Sequence, residues 1–292
     1  MTFESSKSVL ITGASSGIGN TTALYLARQG YTVLASVRRA SDVQALNNLC
    51  LNNLKTLYPL DLTKPDQILS VTSYIKEQAG TNKIPVLYAV INIAGGGSIM
   101  PVELMSISDL KDELEKRIIA PVILLQELLP LLREGKGRIL WIATPALFPV
   151  PYVADIHTAD FAINYLARTL NLELLPDGIK NILIRCGGIR TPSVQRSENE
   201  LATRIKNMPH GRMDIYKARL EKVLRDQVKF DSKRTEPTEV AKLIASVLAE
   251  KKPKTRYQTG HMSKMGAFLE KLPQSWVDFI MERREIKSLK KI

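Results

Sequence analysis

The sequence predicts an α/β chain, a doubly wound parallel sheet covered by helices on both faces, forming one domain that ends in a helical extension. Three observations lead there. Short β-branched runs alternate with longer segments whose apolar residues recur at helical spacing, the pattern of strands buried on both faces. A glycine-rich turn joins the first run directly to the first helical segment. And 292 residues suffice for one large buried core.

Ser8 to Ile11 is the first strand, and Asn20 to Gln29 follows as a helix with Gly30 as its stop. The alternation continues with a strand at Thr32 to Ser36, a helix at Ala40 to Leu51, a strand at Lys55 to Pro59, a helix at Pro65 to Ala79 and a strand at Val86 to Ile93. A long helix covers Leu110 to Leu132, then come a strand at Arg138 to Thr144, a helix at Ile156 to Leu175 and a strand at Asn181 to Cys186. Beyond Gly188 the chain turns polar, basic and proline-broken, so residues 189–235 are expected to lie as a lid over the carboxyl edge of the sheet. A helix at Pro237 to Lys251 and a strand at Arg256 to Thr259 complete a domain of residues 1–260. Residues 261–292 form a basic helical extension in which Trp276 packs either the terminal helix or a membrane surface, the helix being the preferred expectation.

Composition narrows the function classes. Cys50 and Cys186 are far apart, so no disulfide framework or Cys-ligated metal is expected and a reducing, cytoplasmic setting fits. His157, His210 and His261 stand alone, without ligand spacing, and no metal is expected. The start M-T-F-E-S-S-K-S-V-L-I-T-G has no basic segment followed by a long apolar run and does not read as a signal peptide. The most apolar stretch, from Ile118 to Leu132, is interrupted by Gln126, Glu127 and two prolines, and reads as a buried helix. Residues 201–292 hold 22 Lys and Arg against 11 Asp and Glu, nearly all of the net charge of +12. These charges are interleaved at helical spacing, as on a solvated surface, so the expected partner is a small-molecule substrate rather than nucleic acid or a membrane surface.

The stretch V-L-I-T-G-A-S-S-G-I-G-N lies between the first strand and the first helix. In that context Gly13 permits a tight turn, Gly17 lets backbone approach a pyrophosphate and Gly19 lets helix and strand pack closely. The helix N-terminus, entered through Ser15, Ser16 and Ile18, offers free N–H groups and a favourable dipole to the anion. The second strand ends in L-A-S-V-R-R, where an NAD site would place Asp or Glu. Arg38 and Arg39 can pair instead with a 2′-phosphate, so the expected cofactor is NADP(H).

T-G-A-S-S-G-I-G resembles the cofactor motif of the short-chain dehydrogenase/reductase family, whose Rossmann-like fold the resemblance implies over most of the chain. Asp61 and Leu62, in Y-P-L-D-L-T, are similar to its adenine-contacting pair. I-N-I-A-G-G-G is similar to its N-N-A-G motif, with Asn92, Ala94 and Gly95 matching and Ile93 in place of the second Asn. R-C-G-G-I-R-T resembles its P-G-x-x-x-T, with Cys186 for Pro and Thr191 where the family binds the nicotinamide carboxamide. K-P-K-T-R-Y-Q-T-G resembles a segment of its hydroxysteroid- and retinol-type members, and dimerisation through the long helices is implied by the resemblance alone.

The family's proton relay uses a Ser, a Tyr four residues before a Lys, and an Asn. The resemblance puts Arg117 in the Asn position and Thr144, which keeps a hydroxyl, in the Ser position. The Tyr and Lys positions admit two registers, His157 with Phe161 or Ile156 with Asp160. The second is preferred, because a loop can lose a residue while a packed helix cannot change phase. Tyr and Lys are absent in both. Asp160 and Arg117 then face each other, and an ion pair is expected, since lone buried charges are costly. Tyr152 reads as a loop residue, Asp155 as the N-cap of the helix and Trp141 as core. Three readings of function follow. The preferred one is a reductase, or another enzyme of non-standard mechanism, on a small carbonyl or imine-like substrate, with His157, Asp160 or Arg117 managing the proton. The alternatives are a catalytically silent NADP(H)-binding sensor or subunit, and a scaffold whose basic surface binds nucleic acid or membrane.

Overall fold

The structure, a computed structural model, describes residues 7–144, 148–207, 211 and 214–290. Seven strands, β1 (Lys7–Ile11), β2 (Thr32–Ser36), β3 (Leu54–Leu57), β4 (Val86–Asn92), β5 (Arg138–Ala143), β6 (Lys180–Cys186) and β7 (Arg256–Thr259), form one parallel sheet in the order β3-β2-β1-β4-β5-β6-β7. Side chains alternate between its faces. Val9, Ile11, Leu140 and Ile184 point to one core, under helices α1 (Gly17–Arg28) and α9 (Pro237–Ala249). Leu10, Ile139, Trp141 and Leu183 point to the other, under α3 (Pro65–Gly80), α5 (Ala120–Glu134) and α6 (Ala154–Glu173). This is the Rossmann-like arrangement, a single domain with helices on both faces of the sheet.

The short helix α2 (Ala40–Asn47) stops before the expected Leu51. A further helix, α4 (Ile107–Leu114), runs into α5 through a π-helical turn at Glu115–Ile119, so the long helix expected at Leu110 to Leu132 is not continuous. Pro121 supplies the reason, because it lacks the N–H that an α-helix would direct at the carbonyl four residues earlier, that of Arg117. Such turns often mark functional positions.

The polar stretch after β6 forms α7 (Pro192–Lys206) and α8 (Asp214–Asp231), which share a small core of Ile99, Leu201, Ile205 and Leu220. Residues 208–210 and 212–213 of that stretch, His210 among them, lie outside the described residues. Two helices follow β7, α10 (Ser263–Leu269) and α11 (Gln274–Leu289). Trp276 does not pack α11 as expected: its side chain is 64% exposed, and Val277 is the residue that α11 buries. Arg185, buried on β6, bonds Asn164 on α6 (Nη2 to Oδ1, 3.0 Å) and Glu270 just past α10, and Arg256 joins the same carboxylate at 2.8 Å. Among the described residues no helix is long and apolar enough to cross a membrane.

Candidate active site at the switch point of the sheet

The strand order reverses between β1 and β4, and the crevice outside their carboxyl ends is where such sheets bind ligands. Thr12 ties the two ends together, its hydroxyl accepting the Ile93 and Ala94 N–H groups at 3.0 and 3.3 Å. The crevice opens into a cleft of about 600 Å³.

Its floor fits a dinucleotide phosphate. Gly13 (φ +70°) and Gly17 (φ +53°) hold left-handed backbone; a Cβ would meet Ala94 Cα at 3.0 Å from Gly13 and Thr191 at 3.1 Å from Gly17. A Cβ on Gly19 would run into the Gly13 carbonyl, so helix and turn touch through this glycine. Ser15, Ser16 and Ile18 line the same wall, and Thr191 faces them from the start of α7. At the end of β2, Arg39 is held by Asp42 (Nε–Oδ2 3.1 Å, Nη2–Oδ1 3.2 Å), which leaves Arg38 as the guanidinium turned to the cleft without such a clamp. Asp61 and Leu62 line the wall beyond. Burial alone would raise the Asp61 carboxyl, but the Thr63 N–H (3.0 Å) and hydroxyl (2.8 Å), then Arg38 and Lys116, outweigh it and hold it below its ordinary value. Ala94 and Gly95 line the cleft, whereas Asn92 stands behind its wall, donating to the Leu140 carbonyl at 3.4 Å.

At the far end three elements converge. The π turn brings Arg117, the end of β5 brings Thr144, and α6 brings Ile156 and Asp160. The expected ion pair forms: Arg117 Nη2 donates to Asp160 Oδ1, while Asp160 Oδ2 accepts the Thr144 N–H at 2.9 Å and the Thr144 hydroxyl. Asp160 is 1% exposed and lies beneath the cleft surface formed by Arg117 and Thr144. Phe161 points away from the cleft, 55% exposed, so the α6 residues facing the cleft side are Ile156 and Asp160, four apart. His157 does not line the cleft. It is half-buried, and burial and then Arg117 push its pKa down, against Asp155 and a hydrogen bond to the Phe148 backbone. Tyr152 is likewise outside the cleft, against the small core of α7 and α8.

Two carboxylates that the sequence reading did not assign to the site complete it. Glu113, on α4, lies 3.6 Å from Arg117 Nε and accepts the Gly96 N–H at 3.1 and 3.2 Å. Its place four residues before Arg117 was the available signal. Asp155 is not the N-cap of α6, which is Val153; it sits inside the first turn, where Oδ1 accepts the Ile156 N–H at 2.8 Å and Oδ2 accepts the Ser98 N–H at 2.7 Å. Desolvation lowers the Arg117 pKa while Glu113 and Asp155 raise it, and an arginine in this company stays charged. One guanidinium thus faces three carboxylates. The loop after β4 closes on the group: a Cβ on Gly95 would lie 2.7 Å from Arg117 Nη1, and Gly97 (φ +89°) presses on the Ile156 side chain. The Ser197 hydroxyl of α7 reaches the Gly97 carbonyl at 3.3 Å, placing that helix over the same loop. Among the described residues no cluster of His, Cys, Asp and Glu is disposed to hold a metal ion.

Comparison with known proteins adds independent findings. The profile of a family described as short chain dehydrogenase matches residues 7–202. The human 11-beta-hydroxysteroid dehydrogenase type 2 is 30% identical over 262 residues, which cover 87% of this chain but only 64% of that enzyme's length. The 3-amino-tetrahydro-pyrrolizinone reductase of Xenorhabdus hominickii is 30% identical over 260 residues, 88% of each chain. A crystal structure of a short-chain dehydrogenase from Streptomyces avermitilis superposes with a TM-score of 0.76 at 22% identity, over 100% of this chain and 98% of that one.

Proposed function

The chain belongs to the short-chain dehydrogenase family, an oxidoreductase family, and on that premise we propose that it is an NADP(H)-dependent reductase of a small imine-like or carbonyl substrate that works without a phenolic proton donor. The observation that carries the reading is the set of Asp160, Glu113 and Asp155 around the single Arg117 at the end of a whole nucleotide cradle. When bound, the reduced nicotinamide supplies the hydride. The protein's own part is electrostatic. A local excess of negative charge favours the cationic form of a bound base, so it keeps an imine protonated and therefore already activated. Such a substrate does not require the missing Tyr. For a carbonyl, the donor that remains of the group Arg117, Thr144 and Asp160 is Arg117, because the Thr144 hydroxyl already donates to Asp160. His157 does not line the cleft, and Asp160 acts through Arg117 and Thr144.

Arg38 is assigned to the 2′-phosphate, since Arg39 is occupied by Asp42. Arg38→Asp should weaken NADPH binding far more than NADH binding in a titration; equal losses remove the assignment. A reducing, cytoplasmic setting suits the free thiols Cys50 and Cys186, and a homodimer through α5 and α6 suits the exposed Phe161, Tyr165 and Leu172 of α6. The reaction is tested by following NADPH absorbance with panels of cyclic imines, aldehydes and ketones. The expected result is turnover of cyclic imines faster than of carbonyls. NADPH binding without turnover of any of them would instead select a silent NADP(H)-binding protein, a reading favoured by Asp160, both of whose oxygens are already bonded within the protein.

A further inference from the structure

The C-terminal helices expose aromatic side chains that the reductase chemistry does not use. Phe268 on α10 is 61% exposed, and on α11 Trp276 and Phe279 are 64% and 54% exposed. At about 100° per residue, Trp276, Phe279, Ile280, Arg283, Lys287 and Lys290 of α11 fall on one arc. Asp278, Glu282 and Glu285 fall on the opposite side, with Glu285 turned inward near enough to Tyr152 to influence its phenol. The outward arc therefore carries large apolar side chains and cations but no carboxylate. Arg283 lies over the Phe279 ring, 4.6 Å from its centroid, which holds a charge against the apolar patch.

We propose that this face docks the protein on an anionic phospholipid bilayer, with α11 lying in the interface plane. The rings of this arc can enter the acyl boundary while its long Lys and Arg side chains reach back to the headgroups. A second copy of the chain is a poorer occupant, because a two-fold contact would set Arg283, Lys287 and Lys290 against their own counterparts. A nucleic acid would use the cations but leave the exposed Phe268 and Ile280 without a role.

The protein carries its own probe. Of its two tryptophans, Trp141 is sealed in the core and donates to Asn181 Oδ1 at 2.6 Å, so a change in emission on vesicle addition reports Trp276. With the full chain, phosphatidylcholine–phosphatidylserine vesicles should shift the emission to the blue and carry the protein to the pellet, while phosphatidylcholine alone should do neither. Each cation near an anionic surface contributes about five-fold to partitioning, so the double variant Arg283→Glu/Lys287→Glu should lower it by about 25-fold or more with an unchanged circular dichroism spectrum. Trp276→Ala should also lose vesicle binding. The proposal is overturned if neither vesicle binds, if both bind equally, or if the shift appears without lipid on raising protein concentration or on adding RNA.

Discussion

Asp160→Asn would leave the Arg117 guanidinium, itself buried, with Glu113 at 3.6 Å as its nearest remaining carboxylate. Breaking one side of a buried pair typically costs about 3–5 kcal/mol, so urea unfolding should show a loss of that size, whereas Arg117→Met/Asp160→Leu should lose much less. The pairing was legible in the sequence because the two changes fall on positions that face each other in the family. Glu113 carried one signal, its place four residues before Arg117, but Asp155 did not, because its partner Ser98 lies in a loop whose path no spacing rule gives. Trp276 was misread for a related reason: the helix was visible, but which face had a neighbour was not. His157 offers a pH test. Its folded pKa lies below the ordinary 6.5, so in the window below that value the unfolded chain binds more protons than the folded one, and stability falls as pH falls. His157→Gln should flatten the unfolding midpoint between neutral pH and the folded pKa; an unchanged slope would refute the assignment.

Among elements, β2 and β7 have the boundaries read from the sequence, since a β-branched or alternating run between turn residues leaves little choice. The long helix was read as continuous because its apolar period runs through Pro121, yet the missing N–H there is what opens the π turn. The break in the strand–helix alternation after β6 was legible from polarity, but the small core of α7 and α8 was not, since Leu201, Ile205 and Leu220 meet only when the two helices fold together. Leu220 is fully buried in that core. Leu220→Ala should cost about 2–5 kcal/mol, confined to these helices, so hydrogen exchange should quicken in α7 and α8 and remain slow in β1 and α1.

Over the whole molecule, the doubly wound class followed from the alternation of strands and helices, whereas the strand order, with its reversal between β1 and β4, is seen only in the assembled sheet. The charge asymmetry was equally plain, and its meaning had to wait for the exposed faces. On the other flank, Tyr165 and Leu172 stand out from α6, 71% and 76% exposed, with Phe161 on the same stripe. A soluble monomer rarely leaves such a stripe open. Light scattering should therefore give the mass of a dimer, and Tyr165→Glu/Leu172→Glu that of a monomer; a wild-type monomer would sink the assignment of α5 and α6 to a dimer contact.

The contact between Gly97 and Ile156 limits which residues position 156 accepts. A tyrosine at 156 would have to displace the loop, and that loop is pinned through Gly96 to Glu113 and through Ser98 to Asp155. Substitutions at touching positions do not add. Ile156→Tyr alone should thus destabilise, and so should Asp160→Lys alone, which would set a second cation against Arg117. Placing a Tyr and a Lys at these two positions therefore calls for concerted change in the loop after β4 and at Arg117, and no single substitution accomplishes it.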